Sequence, residues 1–524
     1  MANVTRSVGQ EPSVGWIGRT LDIPERVPPS RGAARRPDWT LVASPAITLA
    51  LMLWGISARP YWGDEADTVS AVSRSVPQLA KLLKHIDAVH GLYYLLLWPV
   101  VRIAGSGEFV TRLPSALAMA AAAAGVTAIA RRLASRRAGL CAGLLFAALP
   151  TVTDQGHDAR PYAMITAAAV LACYLVIRTA EDPRPRWFTA YGLSLVLVGY
   201  VQLFGLLLLP AHAITLIGLS RRRWTSANGH PADAPHTRLA RRWLVTIAAV
   251  AVAVTPVAIA GYAQRAQIAW IPRPGWHDVG DLVATVIAGP AAAVVIGVLG
   301  LLGIAAGGGS LMSLGGRARS ASPARPGGPD RTLAWLAVPW LVLPPFLLLA
   351  ASAITPVYFS RYVIYCLPAV ALLAGAGLAT LPWRVGAAAP VLVVALVAPA
   401  QLALRATGGG MQAVAQFLSA RERPGDAIVY PEPSIPPWYL AYPDGFARLR
   451  DISLAQSAAT AGRLEAETVP WPVLERREQS VRRIWIVPIR GSRDPADYLA
   501  PGFGLAQEWK LRGSQVVLLY TRAG

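Results

Sequence analysis

The chain has 524 residues, of which 54% are hydrophobic and 15% charged, with a net charge of +20. That balance is too apolar for an ordinary soluble multidomain protein, and long uncharged runs recur, so a polytopic membrane protein is expected. The positive charge does not point to nucleic acid, because the arginines cluster in short segments between apolar runs, as in loops that face anionic lipid.

Residues 1–38 are polar and rich in Pro and Arg, unlike a secretory signal, and are expected to form a cytoplasmic tail before a retained first span. Candidate spans follow at 39–58, 113–130, 138–152, 161–177, 244–263, 282–304, 333–354, 362–381 and 385–404. The run 187–219 has Arg184 and Arg186 before it and Arg221, Arg222 and Arg223 after it, so the chain should cross twice there. Residues 90–105, "HGLYYLLLWPVVRIAG", would reverse every later basic loop if counted as a span. A helix lying on the outer leaflet is expected instead. The sum is about eleven spans over 39–404. Cys141, Cys173 and Cys366 each sit in an apolar run and are read as packing residues, not as disulfide or metal ligands.

With this sidedness the outer segments are 59–112, 153–160, 264–281, 355–361 and 405–524. Residues 77–97 mix apolar and charged positions, which suits short interfacial helices. Residues 306–331 read as a cytoplasmic linker. The tail 405–524 reads as a small extracytoplasmic α/β domain, with strands near 427–430, 483–488 and 515–520.

The unusual polar residues collect on the outer side. "YWGDEADTVSAV" (61–72) places Asp64, Glu65 and Asp67 just past the first apolar run. Asp87 and His90 follow in the same loop, "DQGHDARPY" occupies 154–162, "AWIPRPGWHD" 269–278 and "TPVYFSRY" 355–362. Ionisable residues beside a membrane core are costly, so each is a functional candidate by default. Each also has a plainer reading. The acids at 64–67 and 154–158 suit helix starts, and Arg361 could snorkel. His90 could be an interfacial polar residue, and Trp270 and Trp276 suit interface anchors.

In order and sidedness these motifs resemble the glycosyltransferase C superfamily, in particular the branch of protein O-mannosyltransferases and lipid A aminoarabinose transferases. The resembling text is "GDEA" (63–66), "GSGEFVTRLPSAL" (105–117), "ARRL" (130–133), "DARPY" (158–162) and "PVYFSRYVIYCLPAV" (356–370), so it covers about residues 40–380. The first loop departs from the pattern with "DAVHGLYYL" at 87–95, where relatives carry a Pro-rich stretch.

The resemblance implies a polyprenyl-phosphate sugar as donor, mannosyl or arabinosyl, and a glycan, glycolipid or protein acceptor outside the cell membrane. Carried over by motif, Asp64 is the principal carboxylate and general base, Glu65 its acidic neighbour, and Asp158 the second acidic motif. Arg361 is placed near the donor phosphate, with Arg160, His90, Tyr162 and Tyr362 as further substrate contacts. A single displacement implies inversion. A divalent metal held by Glu65, Asp158 and His90 is left open. The competing reading is a lipid-linked sugar flippase or other transporter, although the spans carry few internal ionisable residues and no repeated halves.

Overall fold

Each expected apolar run is helical over most of what the computed structural model describes, although the first ends at Leu53 and 54–58 are turns. The described residues are 39–226, 234–275, 290–308, 331–406, 409–430, 434–488, 494–512 and 515–522, together with 277 and 280. The expected tail 1–38, most of the linker 306–331 and Trp276 lie outside them. The helices are α1 (Thr40–Leu53), α2 (Gly63–Val72), α3 (Val76–His85), α4 (Gly91–Ala104), α5 (Glu108–Leu133), α6 (Arg136–Ala148) and α7 (Pro150–Gly156). They continue as α8 (Tyr162–Glu181), α9 (Pro185–Val201), α10 (Leu208–Ser226), α11 (Ala234–Ala263), α12 (Pro290–Gly308), α13 (Arg331–Ile354), α14 (Leu367–Thr380) and α15 (Trp383–Ala403). Among the described residues, six helices are long and apolar enough to cross a membrane.

The long run 187–219 is broken into two helices. Gln202 is extended, and a 3-10 turn over Leu203–Leu207 separates α9 from α10. The stretch 90–105, expected on the outer leaflet, forms α4, which packs Tyr93, Tyr94, Leu97 and Val101 into a small core with Ala71, Val72, Leu79 and Leu82. The expected loop 153–160 is partly helical, because α7 runs to Gly156 before the turn at 157–161. Elsewhere the bundle closes on small residues. A side-chain carbon on Gly377 would strike the backbone of Leu299, and one on Gly303 the backbone of Leu373, so α12 and α14 meet backbone to backbone.

The tail folds as expected into an α/β unit. Strands β1 (Ala427–Val429), β2 (Ser434–Ile435), β3 (Arg450–Asp451), β4 (Leu454–Gln456), β5 (Ala466–Thr468), β6 (Arg483–Ile486), β7 (Phe503–Lys510) and β8 (Val516–Arg522) form two sheets. The larger has the order β3-β1-β6-β8-β7, parallel over its first three strands and antiparallel over the rest. The smaller, β2-β5-β4, is antiparallel. This unit rests on the segment 59–112: the Tyr442 hydroxyl accepts from the Tyr61 N–H at 2.7 Å and donates to Glu108 at 3.0 Å.

Candidate active site

Helix α2 sorts the acidic cluster by its own periodicity. Asp64 and Asp67, three residues apart, share one face, whereas Glu65 is turned about 100° from Asp64. Acids in the first turn also suit the positive end of a helix. The two faces meet different partners.

Asp64 is partly open, with 31% of its side chain exposed. Arg361 Nη1 donates to its Oδ2 at 3.1 Å. Arg160 Nη2 stands 3.8 Å from the same oxygen, and its Nη1 donates to the Asp64 carbonyl at 3.3 Å. The Arg361 guanidinium also lies over the rings of Phe359 at 4.6 Å and Trp62 at 4.7 Å. The Nε atoms of Arg160 and Arg361 have no hydrogen-bond partner among the described residues.

Glu65 is sealed, with only 1% exposed. Arg112 Nε donates to Oε1 at 2.8 Å and Nη2 to Oε2 at 2.6 Å, a two-pronged pair, while the Ala159 N–H donates to Oε1 at 2.8 Å. Arg112 Nη1 also donates to the carbonyls of Ile56 and Arg59, both at 2.8 Å. The pair therefore ties the chain after the first span, α5 and the turn before α8 into one unit.

Asp158 lies behind Trp62, whose indole N–H donates to its Oδ1 at 3.1 Å, and its carbonyl accepts from Ser115. Burial, with Glu65 adding to it, pushes the Asp158 carboxyl up to about 8. It is not among the residues that line the cavity holding Asp64. Asp67, by contrast, is on that wall, and burial pushes it up to about 7, reinforced by Asp87, Asp64 and Glu465 against the pull of Arg160. Asp67 has no role in the motif taken alone. The three-residue spacing from Asp64 was the available signal.

Asp87 and His90 complete the loop side. Asp87 is the one described non-glycine residue with a positive φ, 59°. Its N–H donates to Gln267 at 3.2 Å, and the next N–H donates to Gln264 at 2.9 Å. Burial raises the Asp87 carboxyl, but His90, Arg160 and the Tyr94 hydroxyl at 2.7 Å outweigh it and hold the group below the usual carboxylate range. His90 Nδ1 stands 3.4 Å from Asp87 Oδ1.

These groups surround a cavity of about 470 Å³. Each of the five segments expected on the outer side contributes to it: Asp64 and His90 from 59–112, Arg160 from 153–160, Trp270 from 264–281, Arg361 from 355–361 and Leu464 from 405–524. Tyr162 and Tyr362 also line it, and the break between α9 and α10 adds Gln202 and Phe204. Asp64, His90, Arg160, Tyr162, Arg361 and Tyr362 are thus brought together; Glu65 and Asp158 stand behind the wall.

The proposed metal set does not assemble. Glu65 is occupied by Arg112 and Ala159, Asp158 faces Trp62, and His90 faces Asp87. Among the described residues no three His, Cys, Asp or Glu side chains form a ligand group. These residues do not fit a resident metal there.

The family model for dolichyl-phosphate-mannose-protein mannosyltransferase matches residues 92–232, which begin after the acidic motif of α2. No curated protein sequence matches the chain. In fold it is similar to ArnT from Cupriavidus metallidurans in the apo state, with a TM-score of 0.56 at 12% identity, covering 91% of this chain and 97% of that one. The same protein bound to undecaprenyl phosphate gives a TM-score of 0.55 at 14% identity, with the same coverage. The chain thus shares the fold of ArnT and, over residues 92–232, resembles the O-mannosyltransferase family.

Proposed function

We propose that the protein is a membrane glycosyltransferase that moves a sugar from a polyprenyl phosphate to an acceptor hydroxyl outside the cytoplasmic membrane. The observation that carries this reading is the Asp64 carboxylate held between Arg361 and Arg160 on the wall of a cavity built from all five outer segments. In the free protein the two arginines lean on Asp64. A phosphate diester brings an equal charge with further acceptor oxygens, and the monoester that departs can carry a second charge, so either would draw their guanidinium groups away from it. Arg361 and Arg160 then offset the charge that gathers on the departing phosphate, and Asp64, released, is free to take a proton.

In the step itself the acceptor oxygen bonds to the anomeric carbon as the carbon–oxygen bond to phosphate breaks. The hydroxyl proton passes to Asp64, and polyprenyl phosphate leaves with the bonding pair. One displacement inverts the anomeric centre. The aromatic rings of Tyr162, Tyr362, Phe204 and Trp270 offer apolar faces to a sugar or to the first prenyl units. That ArnT has been captured with undecaprenyl phosphate supports a lipid phosphate as the donor class. A mannosyl or arabinosyl donor, residues 1–38 in the cytoplasm and the α/β unit 405–524 on the far side complete the proposal. The test is incubation of the purified protein with a panel of polyprenyl-phosphate sugars and hydroxyl acceptors. Release of lipid phosphate with a new glycoside of inverted configuration is expected. Movement of intact lipid-linked sugar between leaflets without bond cleavage would instead favour a flippase.

A further inference from the structure

Helices α9 and α11 meet the Asp64 cavity at one end and enclose a groove at the other. Val201 from the end of α9 and Gly261 and Tyr262 from the end of α11 line the cavity. The two helices run parallel. Arg242 Nη1 donates to the Pro183 carbonyl, a side-chain carbon on Gly192 would stand 3.1 Å from Thr246, and one on Gly199 would stand 2.8 Å from Val254. Pro185 and Arg242 therefore lie together, remote from Asp64, and a groove of about 800 Å³ opens between the helices there.

The head of the groove is basic. Arg238, Arg241 and Arg242 line it within little more than one turn of α11. Arg242 is tied to the Pro183 carbonyl, whereas Arg238 and Arg241 are exposed and enter no ion pair among the described residues. The acids at the end of α8 and just after it are engaged already: Glu181 accepts from Arg132 at 2.8 Å, and Asp182 faces Arg184 at 3.0 Å. The stretch 221–242 carries six arginines against one acid, Asp233.

The rest of the groove is apolar. Phe188 and Val250 are buried in it, while Leu193 and Val245 beside them are 66% and 63% exposed. From Arg242 to Ala253, the last lining residue, α11 rises about 16 Å, close to half of a hydrocarbon core of about 30 Å. An apolar slot one leaflet deep with unpaired guanidinium groups at its head matches a chain with a phosphate at its end. An uncharged lipid or an apolar protein helix would leave Arg238 and Arg241 without a counter-charge.

We propose that this groove binds an anionic diacyl phospholipid of the leaflet opposite the Asp64 cavity, with one acyl chain between α9 and α11 and the phosphate on Arg238 and Arg241. The site is separate from the cavity proposed to hold the polyprenyl phosphate, and it does not depend on the transferase reading.

The experiment uses the full-length protein in an uncharged detergent, with binding of dioleoyl phosphatidylglycerol and dioleoyl phosphatidylcholine measured by native mass spectrometry. The parent should bind phosphatidylglycerol about 10- to 30-fold more tightly, the worth of two arginines beside a phosphate. Arg238→Gln combined with Arg241→Gln should abolish that preference and leave phosphatidylcholine binding unchanged. Ala249→Phe, which fills the apolar part from an exposed position, should weaken both lipids at an unchanged unfolding midpoint. Arg184→Gln combined with Arg186→Gln is the control, since these exposed arginines begin the same helix but do not line the groove, and the preference should survive. Equal affinity of the parent for both lipids overturns the proposal, and so does an equal loss in the control pair, which would make the attraction a diffuse charge effect. Undecaprenyl phosphate should bind alongside phosphatidylglycerol; displacement of one by the other would give the groove to the donor lipid and overturn the assignment.

Discussion

Asp64 and Glu65 are neighbours in the chain, and each faces an arginine, yet the two pairs have opposite character. Glu65 and Arg112 are closed off from solvent at 1% exposure each, and both carboxylate oxygens are taken by the guanidinium fork. Asp64 and Arg361 are partly open, at 31% and 21%, and Arg361 Nε lacks a partner among the described residues. A closed, satisfied pair holds elements together; an open, incompletely bonded one is free to exchange its partner for a ligand. One turn of helix thus divides an acidic motif into a fastening and a reacting group.

The sharpest way to break this contrast is to remove the closed partner. Arg112→Met should leave the Glu65 charge buried without its counter-ion and cost about 3–5 kcal/mol, a large part of a typical folding free energy. The expected result is a strongly lowered unfolding midpoint in detergent and poor recovery of folded protein. A variant with an unchanged midpoint would mean that the Glu65 pair fastens nothing.

The open pair should respond the other way. Asp64→Asn keeps the shape of the side chain and removes its basicity, so transfer should fall about 100-fold or more while the unfolding midpoint stays close to that of the parent. Near-normal transfer would remove Asp64 from the chemistry and direct attention to Asp67 on the same wall. Arg361→Ala should act on binding, weakening undecaprenyl phosphate by about 10- to 100-fold, the worth of one or two charge-assisted hydrogen bonds. Titration of the lipid phosphate against intrinsic tryptophan fluorescence would measure it, and an unchanged affinity would place the donor phosphate elsewhere.

How much of this was legible before the structure depends on the range of the interaction. Hydropathy marks the apolar helices, and the run 187–219, too long for one crossing, does break into two helices at Gln202, because both signals are local. The grouping of Asp64, Arg160 and Arg361 was readable from sidedness together with the family resemblance, since all three lie at the ends of apolar runs. The fate of Glu65 was not readable: its partner Arg112 is 47 positions away, and only the fold brings the first turn of α5 to that of α2. The resemblance gives Asp158 as the second acidic motif, but the turn before α8 points it at Trp62 and away from the cavity wall. Leu464 lies beyond the stretch covered by the resemblance, in a unit whose sequence shows sheet periodicity and nothing about what it covers.

The smallest effect sharpens the contrast from within the open face. Asp67 shares the cavity wall with Asp64, and burial pushes its carboxyl up to about 7. Below that pH it is mostly neutral, and above it a second negative charge appears in the cavity that is proposed to receive a phosphate. Affinity for undecaprenyl phosphate should therefore weaken between about pH 6 and pH 8 by roughly fivefold, the scale of one like charge a few ångströms off at an effective dielectric constant well above that of dry protein. The lipid phosphate has its own ionisation in this range, so the decisive quantity is the difference between the parent and Asp67→Asn, which should lack this contribution. Glu65→Gln offers the counter-test: its carboxylate is sealed against Arg112 and out of the cavity, so in whatever fraction remains folded the pH dependence of lipid binding should match the parent. Parallel pH curves for the parent and Asp67→Asn would mean that the charge on the open face of α2 is not felt where the donor binds.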